Sequence, residues 1–217
     1  MNAPIPRNDK QRLHVLWQYD VLDTMPEEVF DDLTELAARI CEAPIALITL
    51  VDEDRQWFKS KVGVTLTETS RDISFCAHAI AQSDLFIVPD ATQDERFASN
   101  PLVTSDPQIR FYAGAPLISP DGHALGTLCV IDKVPRQLRP DQQQALRVLA
   151  RHVMTQLELR RRSRELDHAR QQRDQTQSEL AKARAELAKV RRELKQHKTK
   201  PSGRGARRRI TLSKSRR

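Results

Sequence analysis

The apolar positions of the first 140 residues switch between a helical and a strand period, and each switch marks an element. Over residues 7–22, Leu13, Leu16, Trp17 and Val21 recur at helical spacing until residues 23–26 break the pattern, which predicts a leading helix. The stripe Phe30, Leu33, Leu36, Ala37 and Ile40 predicts a second helix, capped by Thr24, with Glu27 and Glu28 in its first turn and Pro44 closing it. Residues 45–52 (IALITLVD) are a β-rich apolar run. Residues 56–62 (QWFKSKV) follow a charged Asp-Glu-Asp-Arg turn, so the two predict a hairpin whose first strand is central. A short helix over 74–82, a strand over 85–89 and a long irregular stretch over 90–108 come next, and loops of that length often carry function. Strands over 111–119 and 124–132 are joined by Pro120, Asp121 and Gly122, a strong turn signal. The sum is an α+β domain, a largely antiparallel sheet flanked by helices.

Beyond Pro140 the pattern becomes purely helical. No glycine or proline interrupts residues 141–196, and Ala, Leu, Glu, Gln, Lys and Arg dominate, so one helix of about 85 Å is expected. Its first turns align Leu146, Leu149, Val153 and Leu157 in a stripe for packing on the domain or its twin. From Leu159 a seven-residue repeat takes over: Leu159, Leu166, Arg173, Leu180, Leu187 and Leu194 at one seam position, with Ala169, Thr176, Ala183 and Val190 at the other. Acidic residues Glu165, Glu179 and Glu186 precede the seam, and Arg170, Arg184 and Arg191 follow it. A parallel in-register pair joins Glu165 to Arg170, Glu179 to Arg184 and Glu186 to Arg191 across the interface, whereas an antiparallel pair opposes like charges. A parallel homodimer is the expectation. A solitary solvated helix is the competing one, because Glu179 and Lys182, or Glu186 and Lys189, can also pair within one chain.

Charge divides the chain along the same line. Residues 1–140 carry 21 acidic against 13 basic side chains, net −8, and residues 141–217 carry 8 against 23, net +15. The chain therefore divides into a flanking helix over 1–21, a globular domain over 22–140, a long helix over 141–197 with a coiled coil from about 159, and a basic tail over 198–217. The tail has nine Lys or Arg, no acid, and Pro and Gly that break a helix, so it should be disordered when free. Arg204, Arg207, Arg208, Arg209, Lys214, Arg216 and Arg217 form a candidate contact for nucleic acid or an anionic surface; the alternative is a merely solubilising end, since no groove-reading element accompanies the charge. Three cysteines without paired spacing argue against a secreted disulfide framework, and no apolar run is long enough for a signal peptide or membrane span, so a cytoplasmic location is expected.

Residues 22–160 strongly resemble a GAF domain of the type attached to bacterial sensor histidine kinases and diguanylate cyclases. The blocks that carry the resemblance are Leu22-Asp23-Thr24, Pro26-Glu27 and Phe30-Asp31, then SFCAHAI over 74–80, VPDA over 88–91, DERF over 94–97, NPLV over 100–103, IRFYAGAPL over 109–117 and LGTLCVID over 125–132. The resemblance implies a PAS-related fold with a central antiparallel sheet, a pocket on one face and dimerisation through flanking helices. It implies a non-catalytic sensor or adaptor, responsive to a small molecule or redox state, with output through a signalling partner, because no glycine box, GGDEF-like or phosphoacceptor motif accompanies the long helix. Some members reduce free methionine sulfoxide with a cysteine nucleophile, but Cys41, Cys76 and Cys129 do not match that arrangement.

The candidate ligand residues are Phe75, Cys76, His78, Asp90, Asp94, Arg96, Arg110 and Tyr112. A cation, carboxylates and a phenol around the long loop suit a small polar or anionic ligand in a half-apolar pocket. Three of them have a plainer reading, and Arg110 and Tyr112 are the better ligand candidates. Asp94 and Arg96 can instead pair to hold the loop shut, and Cys76 can be a small packed hydrophobe. Cys76 and His78 lie two apart without a second ligand pair, so no metal and no cofactor is expected. Cys129, within an apolar strand, reads as a buried inert thiol, and His152 as a helix-surface residue.

Overall fold

In the computed structural model, which describes residues 3–198, helices α1 (Asp9–Gln18) and α2 (Glu28–Cys41) precede strands β1 (Ile45–Val51), β2 (Arg55–Val62) and β3 (Glu68–Ser70). Helix α3 (Phe75–Ala79), strand β4 (Phe86–Val88), helix α4 (Pro101–Thr104), strands β5 (Phe111–Ile118) and β6 (Ala124–Asp132) and helix α5 (Pro140–Lys198) come after them. The basic tail residues from 199 onward lie outside the described residues. The six strands form one antiparallel sheet in the order β3-β2-β1-β6-β5-β4. The α+β architecture read from the pattern is therefore the one observed, with β1 central as its unbroken apolar run required.

Because strand side chains alternate, each central strand feeds two cores. Ala46, Ile48, Ala113, Leu128 and Val130 face one side, where they meet α1, α2 and the first turns of α5 through Leu16, Phe30, Ala37, Leu146, Leu149, Val153 and Leu157. Ile45, Leu47, Tyr112, Cys129 and Ile131 face the other, against α3, α4 and the loop between β4 and β5. The sheet is thus a wall with a helix layer behind it and a looser, loop-built layer in front.

The helix faces differ from the apolar stripes in two places. Trp17 and Leu36 are 50% and 44% exposed, while Arg12 and Thr34 are buried. Arg12 can turn inward because Asp9 neutralises it at 2.6 Å and the Val51 carbonyl accepts from it at 2.6 Å; Trp17 stays outside, its indole N–H donating to Asp52 at 3.0 Å. Thr34 satisfies its hydroxyl on the Phe30 carbonyl at 2.8 Å. Thr24 also departs from expectation: it does not cap α2, whose N-cap position is Glu27 with no side-chain cap bond. The Thr24 hydroxyl donates to the Val21 carbonyl and accepts from Lys59 instead.

Lys59 explains that diversion. Its side chain is fully buried on β2, and its ammonium donates to Thr24 Oγ1 at 3.0 Å, Met25 O at 2.8 Å and Glu27 Oε1 at 2.6 Å, with Arg160 donating to the same Glu27 oxygen at 2.9 Å. Burial pushes the Glu27 carboxyl up, but Lys59 and Arg160 outweigh it and hold it below its ordinary value. A depressed carboxyl contributes stability above its unfolded pKa and loses it as pH falls through the folded one. Glu27→Gln should accordingly cost about 2 kcal/mol at neutral pH, below the usual cost of breaking a buried pair because Glu27 is 35% exposed. Urea denaturation at pH 7 and again at low pH checks this: the gap between variant and wild type should close as the acid range is entered.

Candidate functional site

The front face of the sheet holds an almost wholly apolar cavity of about 50 Å³. Its floor is Ile45, Leu47, Phe58, Tyr112 and Ile131 from β1, β2, β5 and β6; its roof is Val64, Leu66, Phe75, Cys76, Leu102 and Pro107, with Gln56 and Thr69 at its edge. The roof is held by short caps that the sequence supplies locally. Ser74 Oγ accepts from the Ala77 amide at 3.1 Å to start α3 and itself donates to Gln56 on β2. Asn100 Oδ1 accepts from the Leu102 amide at 2.9 Å to start α4, and its amide donates at 2.9 Å to the Ile73 carbonyl, tying the loop to the entry of α3.

Three of the candidate residues, Phe75, Cys76 and Tyr112, line this cavity together. Phe75 stacks on Phe97 with ring centroids 4.0 Å apart and lies 5.3 Å from the Tyr112 ring. Tyr112 lies folded back along β5 over Gly114: a Cβ at Gly114 would sit 2.1 Å from the phenol oxygen. That missing side chain lets the hydroxyl reach Cys76 Sγ at 3.2 Å. Burial first, then the two neighbouring thiols, push the Tyr112 phenol well above its ordinary value, so it stays a hydrogen-bond donor.

The remaining candidates sit beside the cavity and not on its wall. His78 is half-buried with its ring 4.7 Å from Phe97; burial, then Arg96, pushes its pKa below the ordinary value, so the imidazole is neutral at pH 7. Arg96 pairs with Asp94 through Nε at 2.8 Å and a second nitrogen at 2.5 Å, and lies over the rings of Phe86 and Phe97 at 4.8 and 5.4 Å. Asp90 accepts from the amide and hydroxyl of Thr92, and Arg110 donates to the carbonyls of Val103 and Ile109 at 2.9 and 3.1 Å. In this arrangement all four charged groups brace the loop of residues 90–109.

Cys129, which in sequence reads as a buried inert thiol, is placed by the fold beside a candidate residue. Its Sγ lies 3.8 Å from Cys76 Sγ, both thiols buried. Around Cys76 the Thr127 hydroxyl stands at 3.0 Å and Tyr112 at 3.2 Å, while Thr49 Oγ1 reaches Thr127 Oγ1 at 3.2 Å. Burial would push the Cys76 thiol up, but donors from Cys129, Thr127, Thr49 and Tyr112 reverse this and hold it below its ordinary value; Cys129, with burial and Cys76 against it, is pushed well up. Among the described residues no cluster of His, Cys, Asp or Glu suits a metal ion. No described helix is long and apolar enough to cross a membrane.

A family model described as GAF domain matches residues 25–157. A cyclic di-GMP phosphodiesterase of Pseudomonas aeruginosa is 41% identical over 165 residues, covering 76% of this chain and 28% of that protein. The chain thus spans little more than a quarter of the length of that relative. Among solved structures, the GAF domain of an Acinetobacter phosphoenolpyruvate-protein phosphotransferase superposes with a TM-score of 0.52 at 15% identity, covering 70% of this chain and 93% of that one. The free methionine-R-sulfoxide reductase of Neisseria meningitidis does so with a TM-score of 0.52 at 18% identity, covering 71% and 90%. At such identities the structural likeness speaks for the fold alone.

Proposed function

The chain belongs to the GAF domain family, and from that premise we propose that it is a regulatory sensor module, non-catalytic in itself, which registers a small molecule or redox change on the front face of its sheet. The observation that carries this reading is the cavity walled by Phe75, Cys76 and Tyr112 on the face opposite the helix layer. Tyr112 faces that cavity while its neighbours Phe111 and Ala113 pack in the same core as Leu146, Leu149 and Val153 of α5. A ligand that displaces Tyr112 therefore bears on residues that support α5, and close packing transmits such shifts. The output passes through α5 to a signalling protein. The likeness to a cyclic di-GMP phosphodiesterase supports a partner in cyclic-nucleotide signalling, and the quarter of that relative which this chain matches is read as regulatory.

The module is also proposed to work as a parallel dimer. Support comes from α5, on which Leu159, Leu166, Leu180, Leu187, Val190 and Leu194 are between 48% and 59% exposed, a regular apolar stripe that a single chain leaves in water.

Thermal unfolding of the full chain against small apolar and heterocyclic compounds tests the sensor reading. A ligand at a hundred times its Kd adds about 2.7 kcal/mol and so raises Tm by several degrees. Ile131→Phe, which fills the cavity from its floor, should abolish the shift. A panel that moves neither protein, or moves both equally, would sink the cavity as the sensing site.

A further inference from the structure

The cavity wall also carries a reactive pair. We propose that Cys76 and Cys129 form a peroxide-reactive dithiol, in which Cys76 attacks hydrogen peroxide and Cys129 closes an intramolecular disulfide. Peroxide would be the stimulus at the site of the sensor reading, and only the signal that the bond produces rests on that reading; the bond itself can form whether or not any small ligand binds.

Geometry selects the pair. The two sulfurs are 3.8 Å apart, so closing to the disulfide length of about 2.0 Å asks for an approach of about 1.8 Å between α3 and β6. Two hydroxyls, Thr127 at 3.0 Å and Tyr112 at 3.2 Å, converge on Cys76 Sγ, and hydroxyl donors stabilise a thiolate where burial alone would neutralise it. The titratable groups facing Cys76 are Tyr112 from β5 and Cys129 from β6, and the network holds no formal charge besides its own thiolate. With the proton retained on Cys129, Cys76 is the nucleophile and Cys129 the resolving thiol. Cys41 is an internal control: it is buried, it lacks such donors, and burial pushes it up to about 11.

Cavity size selects the oxidant. A space of about 50 Å³ beside Cys76 takes a molecule a little larger than water without any side chain moving, whereas a bulky hydroperoxide has to displace the Tyr112 or Phe75 ring to reach the sulfur. Cys76 thiolate attacks one peroxide oxygen, the O–O bond breaks, and the departing hydroxide takes a proton to become water; sulfur has lost two electrons and is a sulfenic acid. Cys129 sulfur then attacks Cys76 sulfur, the S–O bond breaks, and the hydroxide leaves as water with the Cys129 proton. The balance is two thiols and one hydrogen peroxide to one disulfide and two waters; an external dithiol returns the disulfide to two thiols by exchange and is itself oxidised to a disulfide.

The test uses the full chain, reduced, freed of reductant and exposed to hydrogen peroxide. Intact mass should fall by two hydrogens, and peptide mapping should join Cys76 to Cys129 while Cys41, alkylated once the chain is denatured, is found as a free thiol. In Cys129→Ala the disulfide is lost and Cys76 accumulates as a sulfenic acid, trapped by dimedone present as the oxidised protein is unfolded; in Cys76→Ser neither product forms. Cumene hydroperoxide should react at least about tenfold more slowly than hydrogen peroxide, in keeping with the room beside Cys76. Thr127→Val, which removes a donor without changing shape, should move the inflection of the rate against pH upward and slow the reaction at neutral pH by about three- to tenfold. Oxidation of Cys41 before Cys76, a pair that forms only in urea, or thiols left reduced by excess peroxide would overturn the proposal. Disulfide formation without any ligand-induced Tm shift supports the dithiol and removes the small-ligand reading; a Tm shift with unreactive thiols does the reverse.

Discussion

Gly126→Ala should come close to unfolding the domain. Gly126 sits in β6, paired with Leu50 of β1 on one side and Leu117 of β5 on the other. A methyl built there would lie 1.8 Å from the Thr49 carbonyl oxygen and 2.8 Å from Leu50 Cα. Both obstacles are backbone, so no rotamer change makes room, and relief requires β1 and β6 to part where their ladder is central. A loss of about 4 kcal/mol or more is expected, against a total of about 5–15 kcal/mol for a domain. Urea denaturation monitored by fluorescence reads it directly, and a midpoint like that of the wild type would mean that β1 and β6 leave room for a methyl between them. The same position controls the site, because Thr49, Thr127 and Cys129 flank Gly126 on the two strands and would move with it.

How far the chain discloses this structure depends on whether the signal is local. β1, β2, β5 and β6 were legible because apolar runs and turn residues lie next to one another in sequence, and the observed bounds differ from the expected ones by one residue or none. β3 was not: Glu68, Thr69 and Ser70 make a three-residue edge strand without apolar alternation, defined only by its pairing with β2. Helix faces were half legible. Periodicity located α1 and α2 but placed Trp17 and Leu36 inside, because apolar spacing cannot register that Arg12 finds a carboxylate and a carbonyl within reach.

The site divides the same way. Phe75, Cys76 and Tyr112 came from family-like blocks and do share one cavity. Cys129 was passed over because it is 53 residues from Cys76 and sits in a run where an inert thiol is the ordinary reading. One signal was there to be read: strand parity puts Cys129 on the face of Leu47 and Ile131, the face that α3 covers. The charged residues near the loop were conspicuous in sequence because they are charged, yet in the fold their charges are spent on Asp94 with Arg96 and on backbone carbonyls with Arg110. Apart from the Gln56 amide at its edge, the polar atoms that reach the cavity region are hydroxyls and thiols, which in sequence resemble ordinary strand residues.

Leu180→Asp with Leu187→Asp should convert the proposed dimer to a monomer at micromolar concentration. Each leucine is about half exposed on the single chain, at 48% and 52%, so the change costs the isolated helix little. In a paired seam each leucine would bury against its counterpart, and a carboxylate there meets a second carboxylate in a desolvated position. Losing the burial of two leucines from each chain removes roughly 6 kcal/mol or more, at about 1.5–3 kcal/mol per side chain, enough to raise the dimer Kd more than a thousandfold. Sedimentation equilibrium reads the mass, and an unchanged thermal transition of the globular part shows that the fold is untouched. Orientation needs a second pair of variants. Glu179→Arg with Glu186→Arg would oppose Arg184 and Arg191 of the other helix in a parallel pair and weaken it, and adding Arg184→Glu with Arg191→Glu would restore it. Each such pair contributes only about 0.3–1 kcal/mol, so the charge exchange reads direction where the leucine change reads existence. A dimer that survives both aspartates, or one strengthened by the glutamate reversals alone, would be inconsistent with a parallel seam on α5.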